Sequence, residues 1–158
     1  PYFNPNARGD FFGISMVHNK GHFARALLEG VAFSLYDCLE VLRTFTDSME
    51  DIVIIGGGAK SPLWCQIVSD VFGLEVKLPE NAESSFGGAL LAGVGVGVFA
   101  NESEAAERCI RMKKTYKPNA ENHAAYMKIF KIYKEISNIS APIWDELVKI
   151  QGPAAAEF

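Results

Sequence analysis

Apolar positions along the chain fall into two rhythms. Between Gly21 and Ser48, the residues Phe23, Leu27, Val31, Leu35, Leu39 and Leu42 recur every three or four positions, which predicts one long helix. Ala26, Ala32 and Phe33 lie off that stripe, so the helix is expected to be buried on more than one side. Asp51 to Ile55 instead reads as a continuous strand of the kind covered on both faces. It runs into three glycines, after which Ser61 and Pro62 open a helix. Serine accepts hydrogen bonds from free amides at a helix start, and proline fits the first helical position. That helix carries Leu63, Trp64, Ile67, Val68 and Val71, with Gly73 as its stop.

Further along, Leu74 to Leu78 is a short strand ended by Pro79, and Glu80 to Ser84 is a polar loop. A small-residue helix follows from about Ser85 to Val98. Asn101, with Glu104 three positions on, starts a helix through about Met112. A last helix runs from Asn119 to Ile139, its packed face marked by Tyr126, Ile129, Phe130, Tyr133 and Ile136. At the beginning, Pro1 to Asp10 is loop-like and Phe11 to Met16 is β-prone. Strands alternating with helices make the class α/β. Three strands are few for five helices, so further strands are expected upstream of Pro1. Residues 1–150 form one domain, incomplete at its start, and 151–158 a disordered or vector-derived tail.

The remaining composition excludes more than it assigns. A formal charge of −4 provides no clustered positive field for nucleic acid. The lysines of the last third sit at helical spacing and read as a solvated face. Phe86 to Phe99, the most apolar segment, is too short for a membrane span. Cys38, Cys65 and Cys109 are odd in number and form no CxxC pair, which favours a reducing, cytoplasmic setting and core packing over nucleophilic roles. His18 and His22 form an H-x-x-x-H without a third ligand, so no metal site is expected.

The segment with chemical content is Ile52 to Trp64. Three side-chain-free residues let backbone amides approach a ligand closely, and a strand leading into a helix amino terminus is the usual ligand edge of an α/β sheet. A plain tight turn explains the same pattern equally well. Two named motifs fail here. A P-loop needs glycine where Ala59 stands, and a dinucleotide fingerprint needs one where Ser61 stands.

GGGAKSPLWCQIVSDVFG (Gly56 to Gly73) resembles the adenosine motif of the FGGY family of carbohydrate kinases. Its neighbours match in order: NPNARGDFFGI (Asn4 to Ile14), HFARALLEGVAFSLYDCLEVL (His22 to Leu42), ESSFGGALLAGVGVG (Glu83 to Gly97) and YKPNAENHAAYMKIFKIYKEI (Tyr116 to Ile136). These stretches run through most of the chain.

The resemblance implies a domain of the actin-like, ribonuclease H-like ATPase type, paired with a second domain across a cleft that holds sugar and ATP. By that analogy Gly56, Gly57, Gly58 and Ala59 pass beside the adenine, and Ser61 lies near the base or ribose. Simple capping accounts for Ser61 as well. Gly87 and Gly88 allow a close helix contact, and Arg8 and Glu83 either organise the interdomain face or form solvated ion pairs. Within the family, Ser61-Pro62-Leu63-Trp64 points to a ketopentose, D-xylulose first, with glycerol, gluconate, ribulose and deoxysugars open. The general base, the Mg²⁺ site, the phosphate hairpin and most of the sugar contacts are expected outside this stretch. No catalytic residue and no metal ligand is therefore assigned to it. The chain alone is expected to lack kinase turnover, to bind ATP or ADP weakly at best, and to self-associate through surfaces left bare. A self-sufficient actin-like module that binds nucleotide or a partner without catalysis is the rival.

Overall fold

The computed structural model describes residues 4–46, 48–49 and 51–151. Its elements are α1 (Lys20–Leu42), β1 (Asp51–Val53), a 3₁₀ turn (Gly57–Lys60), α2 (Pro62–Phe72), β2 (Glu75–Pro79), α3 (Ser84–Gly95), α4 (Glu102–Cys109), β3 (Met112–Tyr116) and α5 (Ala120–Gln151). Of the anticipated tail, residues 151–158, Gln151 is instead the last residue of α5, and 152–158 lie outside the described residues.

The sheet has the order β1-β2-β3. β1 and β2 are parallel, with Ile52 opposite Val76, and α2 makes the crossover between them. β3 returns antiparallel, with Val76 opposite Tyr116. One flank of β1 has no partner strand among the described residues.

The core sits where α2 lies between α1 and α5. α2 contributes Cys65, Val68, Val71 and Phe72, α1 contributes Phe33, Tyr36 and Leu39, and α5 contributes Tyr126 and Phe130. The aromatic rings lock edge to face: Tyr36 and Phe130 are 4.9 Å apart at 89°. Each such buried side chain stabilises the fold by roughly 1.5–3 kcal/mol.

Asp70 is the polar fastener of this core. Its carboxylate accepts hydrogen bonds from Gln66 Nε2 (2.8 Å), the Asn119 amide (2.9 Å) and Asn122 Nδ2 (2.9 Å), tying α2 to the first turn of α5. Nearby, α1 and α5 are joined by Tyr126, whose hydroxyl donates to Glu29 (2.8 Å) and accepts from Arg25 (2.9 Å).

Several elements depart from the sequence expectations. Phe11 to Met16 is not a strand. Gly13 turns the backbone at φ 76°, and no neighbouring strand offers it a ladder. The third strand is instead Met112–Tyr116, in a region expected to close a helix; α4 stops at Cys109 because β2 offers a free edge. β1 ends at Val53 rather than Ile55, and α1 ends at Leu42 rather than Ser48. α5 passes Ile139 and continues through Pro142 to Gln151. Of the predicted α1 stripe, Leu27, Val31, Leu35 and Leu42 face outward and Phe23 is half-buried; Leu39 is buried, together with Ala32 and Phe33 from off the stripe and with Tyr36. Ile129 of α5, expected in the packed face, is exposed as well. α3 buries no residue at all.

Candidate functional site

The five predicted site residues fall together on the bend between β1 and α2, yet each is there for its own reason. Gly56 has φ 82° and ψ −166°, a backbone region that is essentially closed to residues with a side chain. Its amide donates to the Ala82 carbonyl at 2.6 Å. Gly58 is required by a neighbour, because a Cβ there would lie 2.7 Å from the Trp64 indole nitrogen. Gly57 is different. A Cβ at that position would meet nothing within 4 Å, and the residue is exposed. Gly56 also has nothing within 4 Å of where its Cβ would stand, but its backbone angle already demands glycine; Gly57 is the one of the three that neither angle nor neighbour accounts for.

Ala59 turns inward and is buried, with Cys65 Sγ 3.6 Å from its carbonyl. Burial pushes the Cys65 thiol up from its ordinary range, so it stays protonated and donates to that carbonyl. Ser61 caps α2: its hydroxyl accepts from the Trp64 amide at 3.3 Å, and its carbonyl accepts from the Cys65 amide at 3.0 Å. The bend is therefore held rigid from below while Gly57 and Gly58 face out.

A cleft of about 430 Å³ lies beside the bend, between the start of α2, the loop after β2 and strand β3. Ala59 is the one predicted site residue that lines it; Gly56, Gly57, Gly58 and Ser61 do not. Its walls include Glu83, anticipated at the interdomain face or in an ion pair, and Lys60, Lys114 and Tyr116, which were not assigned to a site from the sequence. Lys60 pairs with Glu83 at 3.1 Å, so the loop before α3 is tied to the bend twice, by this contact and by Gly56 to Ala82. Lys114 and Tyr116 arrive on β3, with the ammonium 4.4 Å from the ring centroid. They were illegible beforehand because β3 itself was.

The other candidates resolve into structure. His22 Nδ1 accepts from the Asn19 amide at 3.1 Å and completes the cap of α1; His18 Nδ1 does the same for Ser15 at 2.8 Å. Among the described residues no group of three or more His, Cys, Asp or Glu side chains is placed to hold a metal ion. Arg8 donates to the carbonyls of Asn6 and Ala7. Glu83 does make the ion pair anticipated for it. Gly87 and Gly88 have open space where a Cβ would stand, so no neighbour among the described residues demands them. Cys38, Cys65 and Cys109 are free thiols. No helix among the described residues is long and apolar enough to cross a membrane.

Comparison with known proteins agrees with this architecture. The profile of the FGGY family of carbohydrate kinases, C-terminal domain, matches residues 1–96. A xylulose kinase of Staphylococcus epidermidis is 36% identical over 151 residues, which is 95% of this chain and 30% of that protein. A gluconokinase of Bacillus subtilis is 34% identical over 88% of this chain and 27% of its own length. Among solved structures, a gluconate kinase from Lactobacillus acidophilus superposes with a TM-score of 0.80 at 31% identity, covering 90% of this chain and 29% of that one. The chain thus spans about 30% of the length of the relatives it matches. With its strand, glycine bend and capped helix in the family's order, this chain belongs to the FGGY family of carbohydrate kinases and corresponds to their C-terminal, actin-like ATPase domain.

Proposed function

We propose that this chain supplies the adenosine-binding side of an ATP-dependent sugar kinase that converts D-xylulose to D-xylulose 5-phosphate. The observation that carries the nucleotide side is Gly57: a bare, outward residue on a rigid bend at a helix amino terminus, with nothing within 4 Å of where a side chain would begin. A purine can lie flat against such backbone, whereas Gly56 and Gly58 are bare for internal reasons. The xylulose kinases among the relatives support the sugar assignment, and the gluconokinase likeness makes gluconate the sugar to test beside it.

Phosphoryl transfer depends on a base that takes the sugar hydroxyl proton and on charge stabilisation around the γ-phosphate. In this reading both come from the remainder of the enzyme, and so does the Mg²⁺ that neutralises phosphate charge. The residues here hold and orient the adenosine end. ATP, with ADP as product, is the nucleotide of this cytoplasmic enzyme.

Trp64 packs on Gly58 and so reports on the bend. ATP titrated into the 158-residue chain should produce a saturable change in tryptophan emission. Gly57→Leu should weaken that binding about tenfold or more, equivalent to ~1.4 kcal/mol, without altering the unfolding midpoint. Equal affinity in the variant would remove the bend from the nucleotide site. The chain alone should turn over no ATP with either D-xylulose or D-gluconate.

A further inference from the structure

α5 carries a second apolar face that the domain does not use. Its inward face is Tyr126, Phe130 and Tyr133, packed on Phe33 and Tyr36. About a third of a turn away, Ile129, Ile132, Ile136, Ile139 and Ile143 follow at intervals of three, four, three and four residues, and Ile150 stands one further heptad on. Ile132, Ile139, Ile143 and Ile150 are all more than half exposed. Alternating intervals of three and four keep these isoleucines on one continuous apolar face, the spacing that helix-pairing seams also use.

The seam has one charged position. Glu146 stands where the spacing calls for the next apolar residue, and among the described residues its ion pair is with Lys149 on its own helix, at 2.6 Å. A seam of this kind is costly against an apolar partner, because a carboxylate would be desolvated without a cation. Parallel self-pairing is costly as well, since it sets Glu146 against its own copy.

Antiparallel self-pairing resolves this. With Ile136 opposite Ile139 of the copy, Ile132 falls opposite Ile143 of the copy. Glu146 then lands opposite Ile129 of the copy, between its Lys128 and Lys131. Both lysines are exposed and neither has an ion-pair partner among the described residues. The two-fold axis repeats the contact at the other end of the seam. We infer that the outer face of α5 binds a second copy of this chain as an antiparallel helix pair, with isoleucine layers at the centre and a Glu146–Lys128/Lys131 cluster at each end.

Sedimentation equilibrium of the 158-residue chain across micromolar concentrations tests this. The expected result is a reversible dimer. Ile132→Lys combined with Ile139→Lys should make it monomeric with unchanged helical circular dichroism. Glu146→Lys alone should weaken the dimer roughly tenfold, and adding Lys128→Glu and Lys131→Glu should restore it. These three charged side chains are exposed, so the reversal pair remains decisive even if the double isoleucine variant misfolds. Val53→Lys, on the open flank of β1, should leave the dimer unchanged. A monomeric wild type, a dimer indifferent to the isoleucine changes, a charge reversal without rescue, or a dimer lost with Val53→Lys would each overturn the proposal. ATP binding at Gly57 is read separately and does not depend on this result.

Discussion

A glycine triplet looks uniform in a sequence, but at Gly56, Gly57 and Gly58 three different constraints produce the same letter. Gly56 is a matter of backbone angle, Gly58 of a neighbouring indole, and Gly57 of open space. Alanine at each position should separate them in a urea unfolding series. Gly56→Ala should cost about 1–3 kcal/mol through backbone strain. Gly58→Ala should cost a similar amount by displacing Trp64, with a visible change in its emission. Gly57→Ala should be neutral to within about 1 kcal/mol. A large loss at Gly57 would mean the position is structural after all. The presence of a special bend was legible in the sequence. Which glycine served which purpose was not, because that depends on Trp64 and Ala82, residues whose approach is set by the tertiary fold.

At the scale of elements, α2 was the most readable, since its cap, proline start, apolar run and left-handed glycine stop are all local signals. β3 was the least readable. Its residues are exposed except for Tyr116, so no alternation of polar and apolar marks it, and its existence depends on the edge of β2. The outward stripe of α1 misled for a related reason. Periodicity shows that a face is apolar but not which of two apolar faces the domain covers. How α2 and α5 are joined was likewise hidden, since nothing in the local pattern singles out Asp70. Its carboxylate holds three donors from three places in the chain, and it is 3% exposed. Asp70→Ala should therefore destabilise the domain by about 2–4 kcal/mol, the range for leaving buried donors unpaired. Urea denaturation would measure it. A loss under about 1 kcal/mol would show that water replaces the carboxylate freely.

At the scale of the whole molecule, five motif blocks in family order carried the assignment, because their order survives even where individual boundaries shift. The class α/β and the count of three strands held, although the identity of the third strand did not. The distribution of buried residues is uneven. α2, between α1 and α5, has seven buried residues, while α3 has none. Such a gradient sets a clock for solvent exchange of backbone amides. α3 amides should exchange by local opening, orders of magnitude faster than those of α2, which should wait for global unfolding. The Gly56 amide, bonded to Ala82 just before α3, should exchange at an intermediate rate and slow when ATP is added. If α3 proved as protected as α2 in this chain, its packing would have to come from contacts that burial by its own neighbours does not supply. The glycine bend, our proposed nucleotide site, therefore stands at the boundary between the slow and fast parts of the domain. Its mouth is hinged to a helix that can breathe without disturbing the core beneath it.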